Sequence, residues 1–136
     1  MNLRELFKYA DHQQRFKEGD IIFAEGDQGD VMYVVLDGKV EVWIKDELIE
    51  VTGPGEILGE MALIDSKPRS ATAVAISDCR LAAVDEKQFL FMVQQTPFFA
   101  LQVMRMLVDR LRRRDARSIG ITLQVPVWSD PSEDRI

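Results

Sequence analysis

The stretch Val31-Met32-Tyr33-Val34-Val35-Leu36-Asp37-Gly38-Lys39-Val40-Glu41-Val42-Trp43-Ile44 decides the fold. Two β-prone runs flank Asp37-Gly38, a pair that tolerates the positive φ of a tight hairpin turn. After the turn, Val40, Val42 and Ile44 alternate with Lys39, Glu41 and Lys45, so one face is buried and the other meets water. Outward from the hairpin, Gly19, Gly26, Gly29, Gly53, Gly55 and Gly59 punctuate further short runs. Ile21-Ile22-Phe23 comes before it. Leu48–Val51 follows a weaker turn at Asp46-Glu47, and Ser70–Ile76 and Arg80–Val84 follow later, separated by Ser77-Asp78. Short strands with turn residues between them indicate an antiparallel sandwich or barrel.

Helices are expected at both ends. Asn2 with Glu5 three residues later resembles a capping box, and Leu3, Leu6 and Phe7 share one face of a short helix. Asp85 with Gln88 caps a second helix that carries Phe89, Leu90, Met92 and Val93. Thr96-Pro97 starts a third, from about Pro97 to Arg117, with Leu101, Met104, Leu107, Val108 and Leu111 forming one apolar stripe.

Composition removes several classes of function. A chain of 136 residues suits one domain with a real core. Its net charge of −6 is spread through loops and argues against a nucleic-acid surface. The one cysteine, Cys79, forms no internal disulfide and suits a reducing, cytoplasmic setting, where it reads as a small buried hydrophobe. The one histidine, His12, sits in the polar stretch Asp11-His12-Gln13-Gln14 and supplies neither a metal cage nor a catalytic triad. No run approaches ~18 apolar residues, so no membrane span is expected.

The chemistry concentrates in Gly59-Glu60-Met61-Ala62-Leu63-Ile64-Asp65-Ser66-Lys67-Pro68-Arg69-Ser70-Ala71-Thr72. Gly59 and Glu60 open a short helical turn whose first N–H groups lack partners, a setting that attracts an anion. Pro68 ends the turn, and the planar fork of Arg69 suits bidentate pairing with a phosphate. Glu60 accepts hydrogen bonds and needs hydroxyl donors beside that anion. A sugar phosphate offers both. The bland alternative is a Glu60–Arg69 pair across a turn, which contributes little.

The run Phe16-x-x-Gly19, Gly26, Gly29, Tyr33, Gly38, Val40, Gly53-x-Gly55, Gly59-Glu60 and Pro68-Arg69-Ser70-Ala71 resembles the cyclic nucleotide-binding domain of kinase regulatory subunits, gated channels and bacterial transcription regulators. The resemblance spans about Leu3 to Arg117. It implies an α+β, mainly β fold: an antiparallel jelly-roll barrel over about 16–84, a short N-terminal helix, a short phosphate-cassette helix, and C-terminal helices over about 85–117.

The resemblance also implies that Glu60 accepts a hydrogen bond from the ribose 2′-hydroxyl and that Arg69 pairs with the cyclic phosphate of cAMP or cGMP. Backbone N–H groups near Gly59, Met61, Ala62 and Ala71 and the Ser70 hydroxyl add donors. Members of the family cover the base from the last helix or its extension, which makes Arg110, Arg113 and Arg114 candidates for stacking on a purine. The plainer reading of these arginines is a solvated basic face near a helix C-terminus. Ser70 leaves adenine and guanine open.

Nineteen residues follow Arg117, against the ~60 or so of a helix-turn-helix domain, so direct DNA binding is not expected. In this extension, 118–136, Ile121, Leu123, Val125 and Val127 alternate with polar residues before Trp128, which suits a docking strand or a frayed terminus. The expectation is a stand-alone, non-enzymatic and metal-free sensor that changes its C-terminal helix for a partner protein and dimerises through it. The alternative is a scaffolding module with the same fold and no response to nucleotide.

Overall fold

The computed structural model describes residues 2–122, with side chains through residue 114. In chain order the elements are α1 (Leu3–Phe7), β1 (Gln13–Phe16), β2 (Ile21–Phe23), β3 (Val31–Asp37), β4 (Val40–Ile44), β5 (Glu47–Thr52), β6 (Ile57–Leu58), α2 (Glu60–Asp65), β7 (Thr72–Ala75), β8 (Cys79–Asp85), α3 (Glu86–Gln95) and α4 (Phe98–Thr122). The strands form two four-stranded antiparallel sheets, ordered β1-β8-β3-β6 and β2-β7-β4-β5. The expected jelly roll with short helices is present.

The turn at Asp37-Gly38 is not the expected hairpin: it carries the chain from the first sheet into the second, β3 pairing with β6 and β8 and β4 with β5 and β7, because both strands find their partners elsewhere in the jelly roll. Gly38 has φ +92°, and a Cβ there would overlap the Asp78 carbonyl, so glycine is required on both counts. β3 is buried along most of its length because both its faces are covered. Tyr33 and Val35 face the core between the sheets with Val40, Leu58, Ala73, Ala75, Cys79, Leu81 and Ala83. Met32, Val34 and Leu36 take the alternate positions and are fully buried where α1 lies against β3. Burial on both faces explains a continuous apolar run in place of alternation.

Electrostatics fasten one corner. The Arg4 Nη2–H donates to Asp37 Oδ1 at 3.0 Å, the Arg80 Nε–H donates to Asp37 Oδ2 at 2.8 Å, and the Arg80 Nη1–H donates to Gln13 Oε1 at 2.9 Å. Cys79 is buried, its thiol donates to the carbonyls of Lys39 and Ser77, and burial pushes its pKa up. It is an inert core residue, as expected. His12 is exposed.

Three local expectations change. The first sheet begins at Gln13, inside the polar stretch Asp11-His12-Gln13-Gln14 that shows no strand pattern, because β1 is an edge strand and an edge strand tolerates outward polar residues. The two-residue β6 carries no periodicity to find, yet by pairing with β3 it delivers the chain to Gly59. Thr96 closes α3, its N–H donating to the Met92 carbonyl at 2.8 Å, and α4 starts at Phe98. The capping boxes fare differently. Asp85 and Gln88 cap α3 reciprocally, and the Asn2 side chain accepts from the Glu5 N–H.

The chain divides into two compact units between Val103 and Met104. In the first, Phe99 is fully buried, 5.7 Å from the Phe7 ring and 5.2 Å from the Phe89 ring. The second holds the rest of α4, which continues past Arg117 to Thr122. The remainder of the expected extension, 123–136, lies outside the described residues. Among the described residues no helix is long and apolar enough to cross a membrane.

Candidate functional site

Segment Gly59–Ala71 links β6 of one sheet to β7 of the other, and α2 forms inside it. Gly59 adopts φ +76° at the N-cap and offers no side chain, so the first N–H groups of α2 have no side-chain cap. Ser66 closes α2 in a left-handed conformation, its N–H donating to the Ala62 carbonyl at 3.1 Å. Glu60 is the first residue of α2 and is buried, an unusual place for a carboxylate.

Arg69 returns to the same point. Its backbone is tied to the β2–β3 loop: its N–H donates to the Asp27 carbonyl and its carbonyl accepts from the Gly26 N–H, both at 2.8 Å. Its Nη1–H donates to the Gly59 carbonyl at 3.0 Å. The residue is only 6% exposed, and among the described residues its Nε–H has no partner. Burial pushes the guanidinium below its ordinary pKa, while Tyr33, Asp30, Asp27 and Glu60 favour the charged form. An arginine remains charged at neutral pH in any such setting.

Residues at the two ends of the segment therefore meet. Gly59, Glu60, Met61 and Ala62 stand at the start of α2 and Arg69 beside Gly59, while the Ser70 hydroxyl donates to Met61 Sδ at 3.6 Å. Ala71 follows, half-buried, before β7. Arg110, Arg113 and Arg114 belong to the second compact unit, with Arg113 and Arg114 exposed.

Reading the sequence missed what surrounds the guanidinium. Its carbon lies 4.3 Å from the Phe23 ring centroid and 6.0 Å from that of Tyr33. A Cβ at Gly29 would overlap the guanidinium itself. In the sequence Tyr33 and Gly29 stand out only by their spacing and Phe23 only as a β-prone residue, so no signal short of the fold connects them to Arg69. An open groove of about 640 Å³ borders α2, lined among others by Gly29, Ala62, Leu63, Glu86 and Leu90. Among the described residues no cluster of His, Cys, Asp and Glu stands ready for a metal ion.

Residues 13–96 match the cyclic nucleotide-binding domain family, and the chain belongs to that family. It is similar to the cyclic AMP receptor protein of Thermus thermophilus, 35% identical over 105 residues that make up 74% of this chain and 49% of that protein. The crystal structure of the Thermus thermophilus catabolite activator protein superposes with a TM-score of 0.73 at 32% identity, covering 82% of this chain and 55% of the other. A cGMP-dependent protein kinase of Plasmodium berghei is 45% identical over 74 residues, 54% of this chain and 9% of that one. The chain thus spans about half the length of the receptor protein it matches.

Proposed function

We propose that the chain is a cyclic nucleotide sensor with its ligand site at Gly59–Ala71. The observation that carries this reading is the buried Arg69, whose Nε–H has no partner among the described residues and stands beside a helix start that none of their side chains caps. A cyclic phosphate supplies what is missing there. One oxygen accepts from Arg69, and others accept from the N–H groups of Met61, Ala62 and Ala71 and from the Ser70 hydroxyl. Glu60 accepts from the ribose 2′-hydroxyl, the role that suits a buried acceptor. Both cAMP and cGMP fit this chemistry, since the named relatives divide between a cyclic AMP receptor and a cGMP-dependent kinase.

The domain has a regulatory rather than a catalytic role. Ligand-dependent movement at α2 passes along the groove shared with α3 to the C-terminal helix, and the shift is limited by the ligand's differential affinity for the two positions. Met104, Val108 and Leu111 are exposed apolar residues on α4 and suit a partner protein or a second copy of this chain. Arg110, Arg113 and Arg114 are the candidates to cover the base.

Titration calorimetry of the whole chain with cAMP and with cGMP tests the reading. At least one nucleotide binds, and Arg69→Ala weakens it about 10-fold to 150-fold, the loss expected for a charge-assisted bond of ~1.5–3 kcal/mol. No heat from either nucleotide at millimolar concentration overturns it.

A further inference from the structure

We propose that Phe23 is a positioning residue that fixes the plane of the Arg69 guanidinium. The importance of that plane rests on the cyclic nucleotide reading above; the positioning itself does not. Among the described residues the guanidinium makes one hydrogen bond, from Nη1 to the Gly59 carbonyl, at one corner of the ion. A single bond at a corner leaves the plane free to tilt. The Phe23 ring removes that freedom, because a flat cation within about 6 Å of a ring centroid is attracted to the ring face. The guanidinium carbon is well inside that range at 4.3 Å, while Tyr33 stands at its edge at 6.0 Å. The two rings lie nearly parallel, 16° apart, with Tyr33 beside Phe23, since its centroid is about as far from the guanidinium carbon as from the Phe23 centroid.

Gly29 restricts the ion further, since its backbone comes so close that even a methyl group would overlap Nε and Cζ. The plane matters because two guanidinium N–H groups meet two phosphate oxygens only when the fork faces them flat. Nothing covalent holds it there. The competing role for Phe23 is plain packing, since it borders the core cluster that includes Tyr33 and Leu58. Leucine fills a similar volume without a ring face, and tyrosine keeps the face, so the two substitutions separate the roles.

The test uses the full chain with ¹⁵N-labelled arginine. The Arg69 Nε–H resonance, assigned by its loss in Arg69→Lys, is displaced by the ring current in the wild type. It moves toward the free-arginine position in Phe23→Leu and returns in Phe23→Tyr. Affinity for the cyclic nucleotide falls about 3-fold to 30-fold in Phe23→Leu, is largely recovered in Phe23→Tyr, and in the Arg69→Ala background changes little with Phe23→Leu. A resonance that stays put in Phe23→Leu overturns the proposal, as do equal affinity losses in the leucine and tyrosine variants. If the wild type binds neither cAMP nor cGMP, the cyclic nucleotide reading falls, and ¹⁵N relaxation of Arg69 Nε decides instead: motion that increases in Phe23→Leu but not in Phe23→Tyr supports the positioning, and equal motion in all three proteins overturns it.

Discussion

Gly29→Ala is the sharpest perturbation the site allows, because it touches one charged group and little else. Gly29 is not among the glycines with positive φ, so alanine accepts its backbone. The added methyl meets the Arg69 side chain, overlapping Nε and Cζ and lying 2.7 Å from Nη2. An ordinary contact needs roughly 3.5 Å, so the guanidinium must withdraw by about 1 Å. It is the free end of a flexible side chain and moves before the strands do. The 3.0 Å bond to the Gly59 carbonyl then breaks or bends, and the fork no longer faces the phosphate position. Losing a charge-assisted bond of ~1.5–3 kcal/mol weakens nucleotide binding about 10-fold to 150-fold. Unfolding stability falls by about 1–3 kcal/mol, the cost of unpairing a buried charged donor, while strand pairing and the apolar core stay intact and the variant remains folded. Calorimetric titration alongside urea denaturation reads both quantities. Wild-type affinity in a folded Gly29→Ala variant would refute the dependence of binding on the guanidinium's position.

Two further outcomes follow from the frame. Arg4 first and Arg80 next hold the Asp37 carboxyl below its ordinary 3.8, so the folded state binds this proton more weakly than the unfolded chain. The stability is therefore fully present above that ordinary value and is lost as pH falls through the lower folded one. Asp37 is 48% exposed, and screening limits the loss in Asp37→Asn to about 0.5–1 kcal/mol at pH 7, shrinking toward pH 3 in urea titrations. Gly38→Ala and Gly19→Ala share φ +92°, but only the first meets neighbours, the Asp78 carbonyl and the Cys79 side chain. Both variants lose stability, Gly38→Ala by at least about 1 kcal/mol more, as judged from urea midpoints; equal losses would remove the overlap from the account.

What was legible in the sequence was local. Asp37-Gly38 states its turn within two residues, though not which strands pair, and the alternation after it states a strand but not its burial, since only Val40 is buried and Glu41 to Ile44 are all half-buried. The capping box at Asp85 and Gln88 needed no tertiary information. The short helix opened at Gly59-Glu60 and the return of Arg69 to its start were legible because the helix start, the helix stop and the cation lie within a dozen or so residues, while the anion there is a proposal. β1 was not, since an edge strand is free to be as polar as a loop. Nor was β6, which is too short to show a period. The partners of Arg69 were hidden for a different reason: Phe23 and Gly29 reach it only because the β2–β3 loop bonds to the Arg69 backbone through Asp27 and Gly26. Pattern along the chain contains no trace of that bond.

A guanidinium buried this deeply opposes folding unless something offsets it. Leaving a buried donor without an acceptor costs about 1–3 kcal/mol, and more when the group is charged. Asp30, Asp27 and Glu60 supply favourable charge, and the Gly59 carbonyl and the Phe23 face supply direct contacts, yet among the described residues Nε–H finds no acceptor. A purely structural arginine relieves such a cost by extending into water, where its stem still covers apolar surface. Arg69 is instead pinned at its backbone by the loop and crowded at its head by Gly29. The arrangement keeps a positive charge inside before any anion arrives, which is the property that lets a site bind without reorganising. If Arg69 holds a cyclic phosphate as proposed, residue 69 is where stability and recognition pull in opposite directions, and local rules are broken in this way where a function compensates for the cost.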